Sequence, residues 1–386
     1  MTIASGSRHQ VAYIAESTYG VTPVTPNLQI ARALAGVTLG LTKQTFASEE
    51  LRSDRMPSDV KHGTRQVGGA IPFELSDNSW DDFLQAVLCG TWASPPALTG
   101  TTISASSVDN SVNDSANGFL TAGFEPGTLL NIAGFTGSAG NNQTGLKIVS
   151  VTAGKMVLSG GTALVTDAAG ESVTLTSQAS ALKAGSVRRS FTIERFFQDL
   201  AQHMVYTGVE VNKMSLTVNA SGIVKGSFDV IGQAQSQAAI SGATYTNPLT
   251  STPYDGFSGS LLEAGVLNSV ITEIQFSLDN GMSAMFVVGS PNSLEPSIGR
   301  SKVEGTITAY FQDATLVNKF INETESSMEF TLGGNGSGVK FKFPRIKYNG
   351  GSSPQVQNEG PVTLSLPFVT LYDSGIQSHV QIWRNV

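Results

Sequence analysis

Val67-Gly-Gly-Ala-Ile-Pro-Phe-Glu-Leu-Ser-Asp77 and Val303-Glu-Gly-Thr-Ile-Thr-Ala-Tyr-Phe-Gln-Asp313 carry Val, Gly, Ile and Asp at the same four places, 236 residues apart. Both alternate apolar and polar side chains, as a strand with one buried face requires. The likeness extends on either side. Upstream, Val37, Leu39 and Leu41 answer to Ile274, Phe276 and Leu278 at an offset of 237. Downstream, Phe191-Thr-Ile193 answers to Phe330-Thr-Leu332 at 139, and Gly222, Val224, Phe228 and Val230 answer to Gly360, Val362, Leu366 and Phe368 at 138. One alternating stretch proves little, but four in the same order point to a duplicated unit. The fall in offset places about 97 residues inside the first copy that have no counterpart in the second.

Composition fits a multidomain β-protein. The 386 residues are 40% hydrophobic and can bury two or three ordinary cores. Only 14% are charged, while Gly, Ser, Thr, Asn and Val abound, the mark of sheets joined by many turns. The net charge of -7 disfavours gripping a phosphate backbone. Cys89 is the single cysteine, so no intramolecular disulfide can form, and its place after the apolar run Phe83 to Leu88 suits a buried small hydrophobe. No stretch has the 18 uninterrupted apolar residues of a spanning helix, and the N-terminus lacks a basic start before an apolar core. Neither secretion by a signal peptide nor a membrane anchor is expected.

The expected organisation is an N-terminal arm at 1–35, marked by Pro23 and Pro26; a first unit at 36–94 and 182–235; a small inserted β-domain at 95–181 projecting outward; a linker at 236–265; a second unit at 266–374; and a C-terminal tail at 375–386. Each unit has one short flanking helix. In the first, Ser79 is placed to cap a helix whose Trp80, Phe83, Leu84, Val87 and Leu88 share a face, with Gly90 ending it; in the second, Leu316, Val317, Phe320 and Ile321 recur at helical spacing. Inside the insertion, Leu129, Leu130, Ile132, Leu146, Ile148, Val151, Met156, Leu158, Val173 and Leu175 signal further strands.

Between the first two strands lies a 20-residue stretch, Phe46 to Arg65, that holds Glu49, Glu50, Arg52, Asp54, Arg55, Asp59, Lys61, His62 and Arg65 in a chain otherwise poor in charge. A connection of that length without an apolar pattern is usually functional or disordered, and mixed signs at short spacing suit salt bridges to a neighbouring molecule. The corresponding stretch of the second copy, Val287 to Arg300, is apolar and carries Pro291 and Pro296, so the two copies are expected to make different contacts.

Catalytic chemistry is not visible. His9, His62, His203 and His379 stand in unrelated segments without metal-ligand spacing, and neither a nucleophile elbow nor a phosphate-binding loop occurs. The glycine cluster Gly333 to Gly338 precedes a strand and reads as a hairpin turn. Asp81-Asp82 suits a helix N-terminus. Asn219-Ala-Ser221, Asn322-Glu-Thr324 and Asn335-Gly-Ser337 match the glycosylation pattern, without consequence in a chain not expected to be secreted. No cofactor is expected, and an enzyme is the least favoured class.

The chain resembles the major tail tube proteins of long, non-contractile-tailed bacteriophages. Tyr13-Ile-Ala-Glu16-Ser-Thr-Tyr-Gly20-Val-Thr-Pro23, Ser48-Glu-Glu50 to Asp59-Val-Lys-His-Gly63, and Gly69-Ala-Ile-Pro-Phe-Glu-Leu75 to Gly90-Thr-Trp92 carry the resemblance, and the insertion, with Pro126-Gly127 and Asn141-Asn142 before Leu146, also looks like one found in that family. The resemblance implies a mainly β fold of two tandem β-sandwich or open-barrel units. It implies rings stacked into a hollow virion tail, built in the bacterial cytoplasm around a tape-measure protein, joined to tail terminator and tail tip proteins, and passing double-stranded DNA without sequence-specific binding. Single-copy relatives make hexameric rings, so a two-copy chain needs only three subunits. Six units of four strands, spaced about 4.8 Å and tilted about 40°, enclose roughly 48 Å at the backbone and leave room for a duplex about 20 Å wide. A lumen that is negative or weakly charged is expected. The alternatives are hexameric rings, or a virion decoration or host-surface-binding β-protein.

Overall fold

The computed structural model describes residues 3–56, 58–268, 270–334, 336–351, 353–356 and 359–386; Asn335, in one of the three glycosylation patterns and in the glycine-rich turn, lies outside the described residues. The fold is mainly β, and the described residues form two hydrogen-bonded sheets, of 18 and seven strands. Among the described residues no helix is long and apolar enough to cross a membrane.

The chain opens with β1 (His9–Ala15), β2 (Asn27–Ile30), β3 (Gly40–Ala47), β4 (Val60–Glu74) and helix α1 (Asp81–Val87). The seven-stranded sheet follows, made of β5 (Ala97–Gly100), β6 (Ile103–Ser106), β7 (Ser111–Asp114), β8 (Leu129–Ala133), β9 (Leu146–Val151), β10 (Lys155–Ser159) and β11 (Val173–Ser177), with the one-turn helix α2 (Phe119–Ala122) between β7 and β8. It has its own core around Phe119, Phe124, Leu130, Ile148 and Met156. Glu125 ties it to the second half of the chain through Lys342 at 3.0 Å.

After the insertion come β12 (Ser180–Lys183), β13 (Ser190–Phe197), β14 (Gln202–Asn219), β15 (Lys225–Gly232), β16 (Ala234–Ser236) and β17 (Thr244–Thr246). The second half contains β18 (Ser260–Glu263), β19 (Val266–Leu267), β20 (Ile271–Asp279), β21 (Lys302–Tyr310), helix α3 (Thr315–Ile321), β22 (Ser326–Leu332), β23 (Val339–Tyr348), β24 (Thr363–Thr370) and β25 (Gln381–Arg384).

The two halves pair their strands in the same order. In the first, neighbours run β3, β4, β15, β14, β13, β1; in the second, β20, β21, β24, β23, β22, β18. Register agrees residue by residue on the wall strands. Leu41 lies opposite Val67 as Leu278 does Val303; Gly69 faces Val230 as Gly305 faces Phe368; Ile71 faces Phe228 as Ile307 faces Leu366. Offsets of 237, 236 and 138 therefore hold in space.

The offset of 139 does not. A register shift falls between Phe191 and Ile193 on β13, and its counterpart falls between Ser326 and Met328 on β22. Aligning the two shifts matches Ile193 to Met328, four residues away from the match made on Phe-Thr-Ile and Phe-Thr-Leu. Slipping a strand by an even number keeps every side chain on its own face, so apolar alternation cannot detect the error.

The shared glycine has a steric cause. Gly69 adopts φ +148, and a Cβ there would stand 2.6 Å from the backbone of Thr38 and Leu39; at Gly305 it would stand 2.5 Å from the Gln275 carbonyl and 2.6 Å from the Phe368 ring. Gly69→Ala is expected to destabilise the chain by about 2–4 kcal/mol, the sum of backbone strain and overpacking. Urea unfolding of the variant beside the parent protein measures this, and a midpoint unchanged within error would show that the close approach relaxes freely.

A single core runs through both halves and holds Phe73, Trp80, Phe83, Phe191 and Phe228 from the first and Phe276, Phe330, Phe341, Phe343 and Phe368 from the second. Stacked pairs recur in both, Phe83 on Phe191 with centroids 5.1 Å apart and Phe330 on Phe341 at 4.9 Å. Cys89 is buried at the end of α1. Trp80 rather than Ser79 takes the N-cap position of α1, which has no side-chain cap; the Ser79 hydroxyl instead pairs with Ser76 and the Asp77 carbonyl. Helix α3 is less buried than α1, and its Ile321 is exposed.

Three segments expected to lie outside the units are built into the sheet. Of residues 1–35, His9–Ala15 pair with β13 along their whole length and bury Val11 and Tyr13. Of 236–265, Ser260–Glu263 take the place in the second half that β1 takes in the first. Of 375–386, Gln381–Arg384 bridge β12 and β23 and bury Ile382 and Trp383. Each strand is short and its apolar residues are few, so alternation is weak; the paired neighbours supply the burial.

Candidate assembly surfaces

The eight strands β3, β4, β15, β14, β20, β21, β24 and β23 form one continuous wall. Its two halves meet edge to edge where Lys213–Asn219 of β14 pair with Glu273–Asp279 of β20. Strand β14 is long enough, at 18 residues, to serve two layers: its first half pairs with β13 and β16, its second with β15 and β20.

One face of the wall packs on the core through Ile71, Phe73, Met214, Leu216, Phe228, Phe276, Ile307 and Leu366. The alternate positions form the other face and are small or polar: Ala70, Pro72, Ser215, Thr217, Ser227, Gln275, Ser277, Thr306, Ser365 and Pro367. Opposite charges face one another on part of it, while Glu273 and Glu304 lie opposite uncharged residues only. Lys213 lies directly between Asp229 and Asp279 on the adjoining strands, and Asp279 faces Lys302. Lys225 lies opposite Glu74. Burial holds the Asp229 carboxyl above its usual range, with Lys213 opposing that shift.

The charged stretch Phe46 to Arg65 is a loop only at its centre; both its ends are the arms of a β-hairpin. Strands β3 and β4 pair as far as Ala47 and Val60, leaving residues 48–59 as the connection. Hairpin pairing needs only backbone groups, so the two arms hold together beyond the core with charged side chains outward. Glu49, Glu50, Arg52, Asp54, Arg55, Asp59, Lys61 and His62 are all exposed, and Arg65 is half-buried. Among the described residues only Arg52 and Asp54 pair with each other, at 2.6 Å, and this bond to Arg52 holds the Asp54 carboxyl below its usual range. Arg65 is placed at the hairpin's root, where its amide donates to the Pro291 carbonyl at 2.8 Å. The other charged groups of the set are not brought together.

Charge drew attention to this hairpin, but its apolar residues were missed. Phe46, Leu51, Met56 and Val60 are exposed, Leu51 completely so. The corresponding segment between β20 and β21 exposes Met285, Phe286, Val287, Val288, Leu294 and Ile298. Both lie at the same rim of the wall, because β3 with β4 and β20 with β21 are equivalent pairs. Apolar side chains at a protruding tip, with no core beneath them, were the available signal.

A family model described as phage tail tube protein matches residues 6–369. The chain belongs to that family. It is therefore a structural protein of the virion tail, and the family accounts for self-assembly into a tail tube and association with other tail components. None of the curated proteins matches the chain. The match spans both halves of this tail tube protein and its insertion, so the wall, the rim and the inserted sheet all belong to one tail tube chain.

An ion pair between buried Glu210 and half-buried Arg188 fixes the rim of the second half to the first, and nothing in the sequence marked it out. Glu210 on β14 is buried and takes two hydrogen bonds from the Arg188 guanidinium at 2.8 and 3.1 Å; Arg188 also donates to the Pro296 carbonyl at 2.8 Å and pairs with Glu295 at 3.0 Å. Burial pushes the Glu210 carboxyl up, and Arg188 opposes that shift. A second keystone is Glu16, within the motif that carried the resemblance. Its carboxylate accepts from the Ser190 and Thr192 hydroxyls and from the Gly20 and Gly208 amides, all between 2.7 and 2.9 Å.

Proposed function

We propose that three chains close into a ring of six wall units and that rings stack through the hairpin rim into a conduit for double-stranded DNA. The observation that carries this reading is the internal joint, which already fuses two four-stranded units into one eight-stranded wall. Three copies supply roughly 24 strands, a closed wall about 48 Å across at the backbone, wider than a duplex with its hydration. Closure also removes sheet edges that would otherwise template aggregation.

The polar face of the wall suits a lumen. Its lysines at 213, 225 and 302 lie opposite carboxylates, and Glu273 and Glu304 add negative charge with no cation opposite, so a passing duplex meets few unpaired cations and the counterion release that makes DNA adhere is small. The exposed set Glu49, Glu50, Arg52, Asp54, Arg55, Asp59 and Lys61, with Leu51 and Met56 among them, provides the contact between rings, while Arg65 holds the hairpin to the wall. A tape-measure protein occupies the lumen before DNA, and terminator and tip proteins close the two ends. The units at 36–94 with 182–235 and at 266–374 are the wall segments, and the sheet at 95–181 lies outside the tube.

Native mass spectrometry of assembled rings, with electron microscopy of the tubes, tests the count. Three chains per ring are expected; six chains per ring would overturn the stoichiometry and leave the tube role standing.

A further inference from the structure

The joint inside the chain carries a second piece of information: where, and in what register, one copy meets the next. This inference rests on the ring reading above. By the offset that matches Val211 to Tyr348, the start of the internal joint at Asn212, Lys213 and Met214 corresponds to Asn349, Gly350 and Gly351. By the offset that matches Leu278 to Leu41, its other side, Leu278, Asp279 and Asn280, corresponds to Leu41, Thr42 and Lys43. Within one chain, Asn349 follows the free edge of the wall and β3 forms the opposite free edge.

We propose that Asn349–Gly351 of one copy pair antiparallel with Leu41–Lys43 of a second copy, Gly350 opposite Thr42, in the register of the internal joint. Three observations support it. First, an asparagine recurs. The Asn212 carbonyl accepts the Asn280 amide at 2.9 Å, and its side-chain Oδ1 accepts the Met282 amide at 2.7 Å. Asn349 stands at the equivalent place, exposed, with its own amide given to the Pro367 carbonyl at 2.9 Å on the wall side. Its carbonyl and side chain are thus left for the amides of Lys43 and Thr45 in the next copy.

Second, the free edge keeps to the path of β14. At Gln355 the chain is again paired to β24, opposite Thr363, as Thr217 on β14 lies opposite Lys225 on β15. Third, the other edge is protected where the joint ends. The Leu39 carbonyl is occupied by the Arg195 guanidinium at 2.7 Å and the Tyr206 hydroxyl at 3.1 Å. The residues aligned with them in the second half are Phe330 and Phe343, which have no donor to offer. Side-chain donors at Leu39 stand in for a strand and confine the pairing to residues after it.

The two joints also differ in chemistry, which keeps them from being exchanged. The row Asp229, Lys213, Asp279, Lys302 crosses the internal joint; the aligned row at the subunit joint is Pro367, Gly350, Thr42, Gln66. A β14 edge that captured another copy's β3 would lose two facing opposite charges.

Cysteine cross-linking tests the register, since directly opposed Cα atoms lie about 4.5–5.5 Å apart and fall within disulfide range. Cys89 is buried and leaves a clean background. Thr42→Cys with Gly350→Cys is expected to run as a covalent trimer on a non-reducing denaturing gel, each single variant as a monomer. Because a Cβ at Gly350 approaches the Pro367 ring at 2.8 Å, Lys43→Cys with Asn349→Cys is the second pair. Lys213→Cys with Asp279→Cys is the control and closes within one chain. If native mass spectrometry finds trimeric rings and the control closes, yet neither pair cross-links, the joint is wrong and the ring stands. If no ring forms from the parent protein, the ring reading itself fails and the joint with it.

Discussion

Replacing Arg188 with alanine is expected to cost the folded chain about 2–4 kcal/mol at pH 8, somewhat below the range for removing one partner of a fully buried ion pair because Arg188 is itself half-buried. Glu210 would keep its charge in a site that excludes water, with neither of the donor nitrogens that now hold it. The loss has a defined pH dependence. Burial already raises the Glu210 carboxyl above its ordinary value, and without Arg188 it rises further. A carboxyl whose folded pKa lies above its unfolded one binds more protons in the native state, so stability falls as pH rises through the interval between the two. The deficit of the variant is therefore smaller at pH 5 than at pH 8. Urea unfolding at both values measures it. An equal deficit at the two would mean that Glu210 stays charged and has found another donor. Arg188→Lys retains the charge without the planar fork and recovers only part of the loss. Because Arg188 also binds Glu295 and the Pro296 carbonyl, the variant loosens the second rim segment from the first half.

Leu51→Asp combined with Met56→Asp is expected to abolish tube formation while leaving the single chain as stable as before. Both side chains are exposed and rest on no core, so the change in unfolding free energy stays within about 0.5 kcal/mol. In a stacked tube each would lie in a contact repeated at every ring, where a buried, unpaired carboxylate costs several kcal/mol per site. Electron microscopy and sedimentation distinguish the outcomes: isolated rings are expected, and tubes of normal length would remove the hairpin tip from the stacking contact. The paired measurement matters, since a variant that merely unfolds would lose tubes for an unrelated reason.

Much of the wall was legible in the sequence because a strand with one buried face writes its periodicity directly into the chain. The positions 67, 69, 71 and 303, 305, 307 were in register before any coordinates, and ladder pairing repeats their offsets. The same principle explains the error at β13 and β22. Alternation has period two, so a four-residue slip leaves Phe191 and Phe330 looking equivalent; only the backbone irregularities on those strands separate them. The N-terminal and C-terminal strands were missed for a different reason: Val11 and Tyr13, or Ile382 and Trp383, are too few to display a period, and their burial comes from neighbours far away in sequence. Charge located the hairpin tip, yet charge says nothing about pairing, and the antiparallel arms that hold out the connection bearing Glu49 through Asp59 arise from backbone hydrogen bonds common to any sequence.

The sequence by itself determined the class, the duplication and the place of the exposed charged stretch, all of which follow from local periodicity and composition. Tertiary structure decided which edges meet. That β14 leaves β13, turns through a register shift at Val211 and pairs with β20 depends on free backbone groups brought to one line by the packing of Phe73, Phe228 and Phe276 beneath them. Backbone groups are the same at every residue, so a sheet edge has no signature in side-chain order; it becomes visible only when the core has fixed where each strand lies.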